Sequence, residues 1–196
     1  MQYNKEKREI NLNEKAINDL DKFALDFLKI IKRYTEYIII SGYVSILLGR
    51  SRATEDIDLF IKKIPKEQFL KLYKELQEKG FWCINEEDGE ELFKYLEENL
   101  AIRFCREEMP IPNFEVKFPK DALDESSFED SVKVLLSEGE LTISSLERHI
   151  AFKELYLGTE KDIEDAKHIE ELFKEKIDYD KVNKLKEFIK IRKEKW

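Results

Sequence analysis

The chain has 196 residues, of which 42% are hydrophobic and 40% are charged. This length and apolar content allow one compact domain with its own core, and they exclude an intrinsically disordered chain. With 35 basic and 43 acidic residues, the formal net charge of −8 excludes the global positive field of a non-specific nucleic-acid binder. No run reaches the roughly 18 apolar residues of a membrane span, and the charged N-terminus lacks the apolar run of a signal peptide, so we expect a cytoplasmic protein without a membrane partner.

The first third of the chain alternates predicted helices and strands. Apolar residues at steps of three and four predict an amphipathic helix over residues 14–33. A β-branched run predicts a buried strand over residues 37–40, and a short helix follows over residues 43–48. A second strand is predicted over residues 56–61, and the next helix is predicted to end near Gly80.

The middle of the chain is predicted to continue with short strands. They fall at residues 81–84, 100–105 and 114–118, with a helix near residues 90–97. Residues 109–112 contain two prolines and are predicted to form a rigid connector, because a central strand does not tolerate proline.

The chain is predicted to end in helices. A hairpin over residues 132–136 and 141–143 precedes them, and every element after residue 143 has a helical pattern. We therefore predict an α+β fold with a mixed β-sheet flanked by helices in residues 1–143. A C-terminal helical region, residues 144–196, is predicted to pack on that core.

Asp56 and Asp58 form the most informative pair of acidic residues. Successive side chains of a strand point to opposite faces, so these two share one face while Ile57 takes the other. Two carboxylates that face the same way repel each other and lose hydration unless a cation binds them. Their oxygens suit Mg²⁺ or Mn²⁺, and such a pair can converge on metal ions about 3.5–4 Å apart. The alternative is an edge strand whose outward face is acidic by chance.

Ser41 and Gly42 end the first buried strand, one short helix before the acidic pair. Small residues at this position let backbone N–H groups approach an anion. A phosphate-binding turn placed one short helix before a metal-binding pair suits phosphoryl transfer.

The stretch from Ile39 through Ser41-Gly42 to Asp56-Ile57-Asp58 resembles the signature of the minimal nucleotidyltransferase superfamily, the polymerase-β-like proteins. That signature is a strand, a Gly-Gly or Gly-Ser pair, a short helix and a strand with Asp-x-Asp. Residues 49–56, GRSRATED, are similar to the Arg-x-Thr-x-Asp-x-Asp variant of AbiEii-type abortive-infection toxins. The resemblance implies a nucleotidyltransferase-like sheet, Mg²⁺ or Mn²⁺ as cofactor and a nucleoside triphosphate as substrate. The chain departs from the signature at Ser41, where the first glycine is usual.

The same resemblance implies roles for residues outside the signature. Glu115 resembles the third carboxylate of the superfamily and would complete the metal site or accept a proton from the attacking hydroxyl. The alternative is a solvent-facing glutamate beside Lys117. Arg52 would steady the loop or the leaving pyrophosphate.

Lys153 lies on the apolar arc of its predicted helix, where a lysine either snorkels to solvent or points into a cleft. Together with Asp165 it resembles the Lys…Asp segment of AbiEii-type proteins, in which the lysine contacts nucleotide phosphates. Asp162 has a simpler explanation, because Thr159 and Asp162 fit a capping box at a helix start.

Eight residues are therefore predicted to form the site. The catalytic and metal-binding residues are Asp56, Asp58 and Glu115, and the nucleotide-binding residues are Ser41, Gly42, Arg52, Lys153 and Asp165.

The resemblance implies an enzyme that transfers a nucleoside monophosphate from a nucleoside triphosphate to an acceptor hydroxyl. The implied acceptors are a tRNA 3′ end or a partner protein, and an antitoxin-like protein is an implied partner. A second possibility is a catalytically weak or inactive binding protein with this fold that acts through a protein partner. Ser41 in place of glycine and the acidic net charge support that possibility.

Overall fold

The computed structural model describes residues 1–194, in which one mixed sheet of nine strands is packed against helices. The strands are β1 Gln2–Asn4, β2 Glu9–Asn11, β3 Tyr37–Ile40, β4 Asp56–Ile61, β5 Phe81–Cys83, β6 Ile102–Arg106, β7 Met109–Lys117, β8 Val132–Leu136 and β9 Gly139–Ile143. The α-helices are α1 Asp19–Ile31, α2 Gly42–Leu47, α3 Lys66–Glu78, α4 Gly89–Glu97, α5 Ala122–Glu125, α6 Leu146–Ala151, α7 Glu160–Phe173 and α8 Tyr179–Glu194. A 3₁₀ turn, Ser126–Phe128, follows α5, and a π-helical turn, Phe152–Leu157, continues α6.

The strands run in the order β1-β2-β8-β9-β3-β4-β7-β6-β5. β3 is antiparallel to β4, and β4 is parallel to β7. The strands that carry the predicted carboxylates therefore lie side by side in the middle of the sheet.

The two faces of the central strands differ in chemistry. Ile57 and Leu59 of β4 point into the apolar core, together with Phe114 of β7. Phe27 of α1 stacks on Phe114 with ring centroids 4.1 Å apart, so α1 covers this face. Asp56 and Asp58 alternate with these core residues and lie on the opposite face, where the C-terminal helices pack.

The fold class is as predicted: a mixed sheet flanked by helices, followed by helices to the end of the described residues. β3 and β4 have the predicted bounds, and the β8–β9 hairpin is present. The division at residue 143 stays a prediction. Within residues 1–194, no helix combines the length and apolar character that crossing a membrane requires.

The prediction was wrong at the N-terminus. α1 begins at Asp19, because Asn18 and Asp21 form a capping box there. The preceding residues form β1 and β2, which the sequence did not predict, and β2 adds in parallel to β8.

The predicted connector at residues 109–112 is instead the first part of β7. β4 pairs with β7 only from Asn113 onward, so Pro110 and Pro112 lie beyond the central ladder. Proline is tolerated there because no neighbouring strand needs its missing N–H.

Candidate active site

Three carboxylates share the open face of the central strands. Asp58 of β4 lies in register with Glu115 of β7, and Asp56 lies in register with Asn113. Residues in register on neighbouring strands point to the same side of a sheet, so Asp56, Asp58 and Glu115 face the same way. The catalytic and metal-binding roles of these residues stay predictions.

A lysine joins two of the three carboxylates. Lys117 Nζ lies 3.3 Å from Asp58 Oδ1 and 2.9 Å from Glu115 Oε1. Arg103 Nη2 lies 2.7 Å from Glu115 Oε2 on the other side. From the sequence, Lys117 is expected only as a possible surface partner of Glu115. Its contact with Asp58 is a feature that sequence reasoning missed, although the alternation of β7 places it on that face.

Burial and neighbouring charges act differently on the two acids. Burial raises the pKa of Asp58. The neighbouring carboxylates of Asp56 and Glu115 raise that pKa further, and Lys117 offsets only part of the increase. Burial also opposes ionisation of Glu115, but Lys117 and Arg103 outweigh it and lower the pKa of Glu115. The site therefore disfavours a charged Asp58 unless a further cation is near.

The donor atoms on this face fit a hard divalent cation. The carboxylates offer only oxygen ligands, which Mg²⁺ and Mn²⁺ prefer. Asn113, the register partner of Asp56, has a buried side-chain oxygen, Oδ1, without a hydrogen-bond partner in the structure. Among residues 1–194, however, no three Asp, Glu, His or Cys side chains are arranged ready to hold a metal ion. Lys117 contacts Asp58 and Glu115 instead, and Arg103 contacts Glu115.

The Ser41-Gly42 turn lies beside this row. Ser41 has φ 61° and ψ −140°, a backbone region that is occupied almost only by glycine. A Cβ atom at Gly42 would lie 2.9 Å from Nη2 of Arg52, so the guanidinium packs against the turn at a distance that only glycine allows without a shift of that side chain. Three predicted nucleotide-binding residues, Ser41, Gly42 and Arg52, are therefore close together.

A buried ion cluster holds Arg52 and Lys153 in place. Asp165 is 0% exposed and contacts the guanidinium groups of Arg50 and Arg52, and Lys153 Nζ lies 2.9 Å from its Oδ2. Burial opposes ionisation of Asp165, but these cations lower its pKa. The contact of Arg50 with Asp165 was not predicted, because no local sequence pattern indicates that Arg50 lies near α7.

Lys153 does not snorkel to solvent. Its residue is 2% exposed, and its Nζ also lies 2.7 Å from Oδ1 of Asp162. The predicted capping box of Thr159 and Asp162 is present, so Asp162 both begins α7 and contacts Lys153. A role of Lys153 or Asp165 toward a nucleotide stays a prediction.

A cavity of about 180 Å³ lies beside Asp58. Ser41, Asp58 and Lys117 line it on the side of the sheet, and Lys153 lines it from the π-helical turn. Its remaining walls come from β4, α5, α6, the π-helical turn and α8, with Phe60, Leu123, Phe152, Tyr156 and Arg192 among the contributors. The structure thus brings three of the predicted residues, Ser41, Asp58 and Lys153, to one cavity. The other predicted residues, Gly42, Arg52, Asp56, Glu115 and Asp165, lie outside its lining.

Two solved structures have a similar architecture. The antibiotic-resistance factor ANT(2'')-Ia superposes with a TM-score of 0.56 at 16% identity, over 89% of this chain and 94% of that chain. An antigenic nucleotidyltransferase-like protein from Paracoccidioides brasiliensis superposes with a TM-score of 0.50 at 17% identity, over 77% of this chain and 74% of that chain.

At these identities the likeness defines the fold alone, which is nucleotidyltransferase-like. No protein-family model and no curated protein sequence matches the chain. The closer resemblance to AbiEii-type toxins stays a prediction.

Proposed function

We propose that the chain is a metal-dependent nucleotidyltransferase that transfers a nucleoside monophosphate from a nucleoside triphosphate to an acceptor hydroxyl. The observation that carries this proposal is the pairing of Asp58 with Glu115 across β4 and β7, beside a cavity that Asp58, Ser41 and Lys153 line. The nucleotidyltransferase-like fold of the chain supports it.

Asp56, Asp58 and Glu115 would hold Mg²⁺ or Mn²⁺ in this proposal. When bound, the metal ion neutralises phosphate charge and aligns the reacting groups. Glu115, whose pKa is lowered, is ionised at neutral pH and can accept a hydrogen bond from the acceptor hydroxyl.

The phosphates would lie against the Ser41-Gly42 turn, with Arg52 and Lys153 as their cationic contacts. Both cations are fixed by Asp165 before any ligand arrives. A site with fixed charges reorganises little during the reaction, and this favours stabilisation of the transition state.

The acceptor in this proposal is a tRNA 3′ end or a hydroxyl of a partner protein, and a toxin–antitoxin setting is part of the proposal. Its support is the resemblance of residues 49–56 to AbiEii-type proteins. Treating a labelled product with ribonuclease or with protease identifies which class of acceptor carries the nucleotide.

The test is transfer from each α-³²P-labelled nucleoside triphosphate to RNA and protein fractions, with and without Mg²⁺ or Mn²⁺. We expect Asp58→Asn to lower metal-dependent transfer by at least about 100-fold, because the charge of a metal ligand is lost while its shape is kept. The matched control is Asp26→Asn, whose carboxylate pairs with Arg106 on the surface, and it should transfer as the wild type does. Undiminished transfer by Asp58→Asn would contradict the proposal.

A second candidate is a binding protein that retains the fold without catalysis. The contacts of two lysines favour it: Lys117 already contacts Asp58 and Glu115, and Lys153 is already paired with Asp162 and Asp165. Calorimetry separates the two candidates, because an enzyme of this class should bind a nucleoside triphosphate only when Mg²⁺ or Mn²⁺ is present.

A further inference from the structure

We propose that Lys117 is an internal cation that occupies the carboxylate site of the metal-free protein and competes with the divalent metal ion for it. The inference rests on the metal site of the proposed function and adds a residue that controls the affinity of that site. It predicts that the lysine and the metal ion cannot both contact Asp58 and Glu115.

The position of the ammonium group supports the competition. Lys117 Nζ contacts one oxygen of each acid, at 3.3 Å from Asp58 and 2.9 Å from Glu115. Any ion bound by those two oxygens would lie within a few ångströms of the ammonium group. Like charges at such a distance repel strongly in a partly buried site, so the lysine must move away as the metal ion binds.

The surroundings of Lys117 distinguish it from an ordinary surface ion pair. Its side chain is 21% exposed, and those of Asp58 and Glu115 are similarly shielded. Lys133 and Glu140 form a lysine–carboxylate pair at 3.3 Å elsewhere in the sheet, but that lysine is 48% exposed. Exposed pairs contribute little because water screens them, whereas removing one member of a shielded pair leaves charge uncompensated.

A displaced Lys117 side chain would move into the cavity, because the residue borders that space. Its side chain already lines the cavity, together with Lys120 and Ser41. An ammonium group displaced from the carboxylates would remain at the cavity wall, where the proposed function places the phosphates. Metal binding would therefore release a cation toward the nucleotide.

The test is a titration with Mn²⁺ alone, in which free Mn²⁺ is measured by electron paramagnetic resonance. Lys117→Met removes the competing charge, so we expect it to bind Mn²⁺ at least about tenfold more tightly than the wild type. Mn²⁺ should also raise the melting temperature of Lys117→Met by more than that of the wild type, because tighter binding stabilises the folded state more. The matched control is Lys133→Met, which should bind Mn²⁺ as the wild type does.

Adding Asp58→Asn to each protein assigns the binding to this site. One outcome is that Lys117→Met binds Mn²⁺ no more tightly than the wild type does, and that this binding is lost when Asp58→Asn is added. This result would overturn the competition and leave the proposed metal site intact. Absence of Asp58-dependent Mn²⁺ binding from every variant would remove the metal site, and the inference with it. If Lys117→Met does not fold, Lys117→Gln gives the same comparison, because it removes the charge but keeps a hydrogen-bond donor for Glu115.

Discussion

Ser41 combines a polar side chain with a backbone conformation that belongs to glycine. Its φ of 61° and ψ of −140° cost a non-glycine residue on the order of 1–3 kcal/mol. The hydroxyl makes no capping hydrogen bond to α2, so the structure shows no local gain that offsets this strain. Strain of this kind is often found at functional sites, and Ser41 lines the cavity.

Relief of that strain gives a stability prediction. Ser41→Gly should raise the free energy of unfolding by about 1 kcal/mol, because the strain that it removes exceeds the extra entropy of an unfolded glycine. The melting temperature should rise by roughly 2–4 °C for a chain of this size. Ser51→Gly is the control, since Ser51 has no positive φ, and it should not stabilise the protein. A less stable Ser41→Gly would mean that the serine side chain contributes to the fold.

Some contacts of the site could be predicted from local sequence and others could not. Asp56 and Asp58 share a face because side chains alternate along any strand. The contact of Lys117 with Asp58 depends on the register of β4 against β7, between residues 59 positions apart. No local pattern encodes such a register. The contact of Arg50 with Asp165 joins residues 115 positions apart and was missed for the same reason.

At the scale of elements, a buried histidine joins α6 to α2. Nε2 of His149 lies 3.0 Å from Oγ of Ser45, and both residues are buried. Burial, and then the nearby Lys153, lower the pKa of His149 to about 3 from the usual 6.5, while Asp165 and Asp162 oppose the shift and Arg52 adds to it. The imidazole ring is therefore neutral in the folded protein at any pH near neutrality.

This shift predicts a loss of stability in mild acid. The unfolded chain takes up the proton near pH 6.5 and the folded protein only near pH 3, so stability falls as the pH decreases between these values. From pH 7 to pH 5 the wild type should lose about 2 kcal/mol more than His149→Gln, which cannot titrate but can still bond to Ser45. Urea denaturation at both pH values measures the difference. Equal losses in the wild type and His149→Gln would contradict the prediction.

The elements that were predicted correctly are those whose own residues carry a clear helix or strand pattern. The buried run of β3, the alternation in β4 and the amphipathic pattern of α3 each need no partner to be visible. β1 and β2 have three residues each, and they are strands because β8 offers an edge to pair with. Their existence is a property of the assembled sheet, which explains why they were not predicted.

At the scale of the whole molecule, the Asp165 cluster connects the sheet to the C-terminal helices. Arg50 and Arg52 lie between α2 and β4, Lys153 lies on the π-helical turn, and Asp165 lies on α7. A single buried carboxylate thus fixes three segments relative to one another. The contact of Arg52 with Gly42 extends this arrangement to the turn beside the carboxylate row.

Removal of that carboxylate should destabilise the whole protein. Asp165→Asn keeps the shape of the side chain but leaves Arg50, Arg52 and Lys153 around a neutral amide, so we expect a loss of about 3–5 kcal/mol in the free energy of unfolding. Glu164→Gln is the matched control, because Glu164 also contacts Arg50 but its side chain is 58% exposed, and it should cost less than about 1 kcal/mol. Urea denaturation followed by circular dichroism measures both. A cost for Asp165→Asn as small as that of Glu164→Gln would show that the three cations find other partners and that the cluster does not join the helices to the sheet.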